Sequence, residues 1–166
     1  MKIKHLNQKF ESRELIIKKN SKVYKIIEDP IFIFDKKKKI YIPQPTRYWI
    51  LDKKLRKAIG RLEEKGYIEK FCKEITGNDN LFNFFVELHK REVKKRVDIF
   101  YKYYLDFKDY PLSSVILNED IGIGGISNFR NKPFKVKCLH LWTAYHLASE
   151  EFENPIGDFV LKNIDY

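Results

Sequence analysis

The residues of this 166-residue chain with the most chemical potential are two cysteines, four histidines and a basic, glycine-bearing stretch near the C-terminus. Cys138 follows Lys137 and precedes the apolar run Leu139-His140-Leu141-Trp142, where a helix is expected to begin. A thiol at a helix start beside a cation ionises more readily and can act as a nucleophile. The same residue also suits a buried, small apolar position. His140 lies two positions on, about 200° round a regular helix. It can therefore partner Cys138 only if Cys138 precedes the helix. His146 is roughly 12 Å further along the axis by rise per residue, too far to activate the thiol directly.

His89 is the proton carrier available from elsewhere in the chain, on the apolar stripe of a long helix, and Arg96 two turns later shares its face. A buried arginine needs a carboxylate or an anion, and Glu63 is a candidate for the former. The catalytic set read from these patterns is Cys138, His89 and His140. Zinc could use the atom types of Cys138, His140, His146 and His89, but helical spacing keeps them from converging, so no metal site is expected. The residues leave the identity of any cofactor unknown.

An anionic ligand is favoured on charge. Gly122, Gly124 and Gly125 permit a turn whose N–H groups can converge on an anion. Arg130, Lys132, Lys135 and Lys137 follow closely. Arg96, Gly124, Gly125, Arg130, Lys137 and Asn154 are therefore the expected ligand-binding residues. Signatures of the phosphate loop, the zinc metalloproteases, the nucleophile elbow and paired Cys-x-x-Cys are absent.

Residues 1–60 hold 17 Lys+Arg against 6 Asp+Glu and so carry the whole excess behind a net charge of +10. The run Lys36-Lys37-Lys38-Lys39 leads it. It reads either as a solvated hairpin tip or as an electrostatic footprint for nucleic acid or another acidic partner. Lys outnumbers Arg, which fits base readout poorly. The start lacks the apolar block of a signal peptide, no apolar run is long enough to span a membrane, and two cysteines make no disulfide framework. The expectation is a cytoplasmic protein with reduced thiols.

Positioning these groups falls to a single α+β domain over residues 1–166, with a small antiparallel sheet within a strand-rich basic part (1–50) and a mainly helical body (51–166). β-Branched and aromatic residues mark strands at 22–27, 31–34 and 40–42, with 14–17 as a possible partner and Asp35 closing the lysine turn. Asp52 caps a helix over 53–65 with the stripe Leu55, Ile59, Leu62, and a short helix covers 67–75. A long helix from Asp79 to about Leu105 turns inward Phe82, Val86, His89, Val93, Val97, Phe100 and Tyr104. Residues 109–134 read as loop. Further helices are expected over about 136–150 and from Asn154-Pro155 onward. Tyr48, Trp49, Trp142 and Tyr145 are expected in the core rather than stacked on bases.

Several segments resemble an uncharacterised bacterial family, the domain of unknown function numbered five hundred and one. They are Pro45-Thr46-Arg47-Tyr48-Trp49-Ile50, Gly60-Arg61-Leu62-Glu63, His89 with Arg96, Gly124-Gly125, Val136-Lys137-Cys138-Leu139-His140, His146-Leu147-Ala148 and Asn154-Pro155-Ile156-Gly157. The resemblance implies a bacterial, cytoplasmic protein and supplies no reaction. The expectation is a small enzyme or ligand-binding domain with a Cys/His/Arg pocket for a phosphate- or carboxylate-bearing ligand. The alternative is a nucleic-acid or protein-binding module using the basic N-terminal third.

Overall fold

The computed structural model describes residues 10–165. An N-terminal strand-rich part is followed by helices, as the α+β expectation required. Strand β1 (Arg13–Lys19) and strand β2 (Lys22–Glu28) form a hairpin in the register Lys19↔Lys22. Its two-residue turn, Asn20-Ser21, takes positive φ at both positions, the conformation that matches strand twist. Tyr24 and Ile26 face inward and are buried, while Val23 and Lys25, alternating with them, face out.

Strands β3 (Phe32–Asp35) and β4 (Ile40–Pro43) make a separate two-stranded sheet. Between them the Asp35 carboxylate accepts from the Lys37 and Lys38 N–H groups and closes the lysine turn. Strand β5 (Tyr48–Ile50), which the sequence did not reveal, adds to β2 through Ile26↔Ile50. It is only three residues long, and the two prolines before it hide its alternation. The expected single sheet is thus two sheets, ordered β1-β2-β5 and β3-β4.

The helices are α1 (Lys53–Glu64), α2 (Tyr67–Thr76), α3 (Asp79–Tyr103), α4 (Ser113–Leu117), α5 (Leu139–Ala148) and α6 (Pro155–Lys162). Asp52 caps α1 by accepting from Lys54 N and Leu55 N, and Asn78 caps α3 by accepting from Leu81 N. The stretch expected to be loop contains α4 and a 3-10 turn at Ile123–Gly125. The fifth helix starts at Leu139 rather than near 136, because Lys137 takes a positive φ and Cys138 is extended.

Helix α5 positions the rest. Leu139, Leu141, Trp142, Ala144, Tyr145 and Leu147 are all buried, so the helix is apolar on every side, as a core helix must be. It packs against α6, β5 and α1 within the larger hydrophobic cluster. A second cluster joins Phe10, Ile31 and Phe32 to Phe100, Tyr104 and Ile116 at the far end of α3. Trp142, Tyr145 and Tyr48 lie in the core as expected, whereas Trp49 stays 41% exposed on the outer face of β5. No helix among the described residues is long and apolar enough to cross a membrane.

Candidate functional site

The N-terminus of α5 is where titratable groups converge. Cys138 is the residue before the first helical turn, with an extended backbone (φ −156°, ψ 158°). It therefore escapes the angular separation that a regular helix would impose on Cys138 and His140. Glu63 comes from the last turn of α1. One donor or acceptor atom from each of Glu63, Cys138 and His140 lies within 4.8 Å of the other two, and all three residues are half-buried.

Hydrogen bonds fix this geometry. Glu63 Oε1 accepts from Leu139 N at 2.8 Å and lies 2.8 Å from His140 Nδ1. One carboxylate oxygen thus caps a core helix and holds an imidazole. His140 Nε2 is 3.1 Å from the Arg56 carbonyl, which can only accept, so Nε2 carries a proton. The Cys138 sulfur and the Glu63 carboxylate favour the charged ring and hold its pKa up at about 9 against the opposing cost of burial. The thiol belongs to the residue that caps the N-terminus of α5.

His89 and Arg96 are elsewhere and occupied, which corrects the expectation that they face this thiol. His89 is buried among Phe129, Phe134 and Trp142, and its Nδ1 accepts from Ile123 N at 2.9 Å. Its other ring nitrogen has no partner among the described residues. Burial lowers its pKa to about 3, so the ring is neutral and holds a loop. Arg96 is also buried. Its Nε donates to Ile116 O and its Nη2 to Asn118 O and Ile121 O, so backbone carbonyls take the place of the expected carboxylate. Glu63 is spent on His140 instead.

The remaining expected ligand residues are placed as follows. Gly124 and Gly125 both take positive φ (73° and 72°), but Gly125 N donates within the turn to Gly122 O. The Lys137 ammonium donates to Gly124 O rather than pointing freely outward. Arg130 pairs with Asp120 at 2.9 Å and lies over the Phe129 ring. Asn154 is structural: its side chain caps α6 through Gly157 N and donates to Trp142 O and Phe152 O. His146, also buried, accepts from Asn154 N. A shallow groove of about 640 Å³ is lined by Cys72, Gly124, Gly125, Ser127, Lys135 and Lys137 among others, and Glu63, Cys138 and His140 are not part of its lining.

Sequence reading missed two features. Glu63 was weighed only as a partner for Arg96, although it lies four residues after Ile59 on the inward stripe of α1, the one available signal. The other is the buried pair of Arg47 and Glu92. Arg47 Nε and Nη2 donate to the two Glu92 oxygens at 2.7 and 2.8 Å, and Arg47 N donates to the Tyr145 hydroxyl. Burial alone would lower the arginine pKa, and the Glu92 carboxylate more than offsets it, so the guanidinium stays charged.

The architecture is that of an α+β protein carrying a thiol–imidazole–carboxylate cluster at the start of its central helix. The chain belongs to the family described as "Protein of unknown function (DUF501)", whose model matches residues 16–162. No curated protein and no solved structure matches it.

Proposed function

We propose that this chain is a small enzyme or ligand-binding domain for a phosphate- or carboxylate-bearing molecule, with Glu63, Cys138 and His140 as its reactive centre. The observation that carries the reading is the convergence of these three side chains within 4.8 Å at the start of a helix. A thiol beside an imidazole that a carboxylate and a backbone carbonyl hold in place is a grouping suited to thiol chemistry. In this reading Cys138 is the nucleophile or the contact atom, His140 stabilises its thiolate, and Glu63 fixes the ring. The groove lined by Lys135 and Lys137 supplies cationic walls for the anion. His89, Arg96 and Asn154 support the scaffold without touching the ligand.

The test is native mass spectrometry of freshly purified protein, followed by thermal shifts with phosphate- and carboxylate-bearing compounds. A bound anionic species, weakened at least tenfold by Lys135→Glu, supports the reading. A bare chain whose melting temperature no such compound moves contradicts it.

A second reading is favoured by one observation: Lys36, Lys37, Lys38 and Lys39 are all exposed at the tip of the β3–β4 hairpin. A nucleic-acid partner held there would bind with a steep salt dependence. Charge reversal of the four lysines without loss of RNA or DNA binding would exclude it.

A further inference from the structure

We propose that Glu63, Cys138 and His140 form a mononuclear site for a borderline-soft divalent cation, zinc by chemistry. The inference rests on the reading of these three residues as the functional centre.

The tautomer of His140 is the first argument. Nε2 donates to the Arg56 carbonyl, so a neutral ring carries its lone pair on Nδ1. That atom lies 2.8 Å from Glu63 Oε1. Nδ1 is thus the ring atom that faces the carboxylate and the one an ion would bind. A ring whose far N–H is fixed by a backbone carbonyl is also how metal-bound histidines are held, with tautomer and orientation set before the ion arrives. Glu63 is prepared in the same way, by the Leu139 N–H on its ligating oxygen.

The donor set is the second argument. Thiolate, imidazole and carboxylate together select zinc-like ions over magnesium or calcium, which prefer oxygen ligands. Tetrahedral zinc with metal–sulfur bonds of about 2.3 Å and metal–nitrogen bonds of about 2.0–2.1 Å places neighbouring donors about 3.4–3.6 Å apart. The three donor atoms already lie within 4.8 Å of one another, with nitrogen and oxygen at 2.8 Å. Loading the site thus asks for shifts of about an ångström, within the reach of side-chain rotation. The charges balance, since a divalent ion neutralises one thiolate and one carboxylate.

Three protein ligands leave a fourth position open, the mark of a zinc ion that meets an exogenous ligand rather than a purely structural one. An anionic oxygen would fill it. Helical spacing argued against a zinc site of Cys138, His140, His146 and His89; with Cys138 ahead of the helix and a carboxylate supplied from α1, a different set of three donors converges.

The experiment is equilibrium dialysis of the chelator-treated full chain against micromolar Zn²⁺, with metal counted by mass spectrometry, alongside Co²⁺ titration to read the thiolate-to-cobalt charge-transfer band. The expected result is one ion per chain, a cobalt band that Cys138→Ser abolishes, and at least tenfold weaker binding in His140→Gln and Glu63→Gln. Cys72→Ser should bind as the wild type does. Circular dichroism establishes that each variant is folded, and Cys138→Ser, which leaves the Glu63–Leu139 cap in place, decides if Glu63→Gln is not. Absence of stoichiometric zinc, or a cobalt band that survives Cys138→Ser, overturns the inference. A chain that retains an anionic ligand but no zinc overturns the metal and leaves the proposed function standing. A chain that binds one zinc through Cys138 but no anion does the reverse.

Discussion

Glu63 and His140 stand 77 positions apart in the chain, yet their side chains meet at 2.8 Å, and the same Glu63 oxygen caps the helix on which His140 lies. The contact that organises the candidate site is therefore also a contact that sets the start of α5. Altering Glu63 changes both. Replacing Glu63 by Gln should keep most of the cap and lose the charge, costing about 1–2 kcal/mol in urea unfolding, as expected for losing a charged partner to a backbone N–H. A cost below about 0.3 kcal/mol would show that the carboxylate holds neither group.

The buried pair of Arg47 and Glu92 should be the most sensitive ionic contact in the fold. Their side chains are only 9% and 0% exposed. Glu92→Gln or Arg47→Met leaves one charge buried without its partner, and such losses cost about 3–5 kcal/mol. The double replacement should cost less than the two single ones together, because no orphaned charge remains. Additive losses in chemical denaturation would contradict the pairing.

Two glycines face two buried histidines. A Cβ at Gly122 would overlap the His89 ring, and one at Gly157 would overlap His146. Gly157→Ala should destabilise by about 1–3 kcal/mol, as overpacking does. Gly60, inside α1 with open space beside it, should behave in the opposite way: Gly60→Ala is expected to gain about 0.5–1 kcal/mol. Equal effects at the two positions would mean that the histidines are not packed as described.

Much of the architecture is legible in the chain because it is written locally. The stripe from Phe82 to Tyr104 recurs at helical spacing, Asp52 and Asn154 sit where helix caps belong, and Asp35 opens a turn of lysines. What could not be read depends on contacts between distant segments. Nothing near Glu63 announces His140, and nothing near Arg47 announces Glu92. Strand β5 exists because β2 offers it an edge. His89 and Arg96 share a helical face, as their spacing requires, but spacing does not say that the face meets backbone carbonyls and aromatic rings rather than a cleft. The pairing of Cys138 with His140 turned on one condition, that the thiol precede the helix, and the left-handed backbone of Lys137 (φ 69°) and the extended one of Cys138 meet it.

Acid should unfold the protein earlier than its carboxylates alone would require. His89 is held at about 3 by burial, and His146 is lowered by burial and then by the Lys19 ammonium. As pH falls through about 6.5, these imidazoles take up protons in the unfolded chain but not in the fold. The stabilisation from keeping them neutral is complete above that pH and is lost as pH falls toward the folded values. The slope is at most about 1.4 kcal/mol per pH unit for each histidine. Urea unfolding at pH 7 and pH 5 should show the loss, and His89→Gln should shrink it. His140, held at about 9, works in the opposite direction over part of this interval, so the variant comparison decides: a pH dependence unchanged in His89→Gln would contradict the neutral, buried state.

The central claim is that Cys138 belongs to a working centre rather than to the packing of the core. Cys72, also half-buried and free, provides an internal standard. The direct measurement is the rate of iodoacetamide labelling at each cysteine in the metal-free chain at pH 7, followed by peptide mass spectrometry. The account predicts labelling of Cys138 at least tenfold faster than Cys72, with the advantage lost in His140→Gln. Labelling of Cys138 no faster than Cys72, or an advantage that survives His140→Gln, would contradict it.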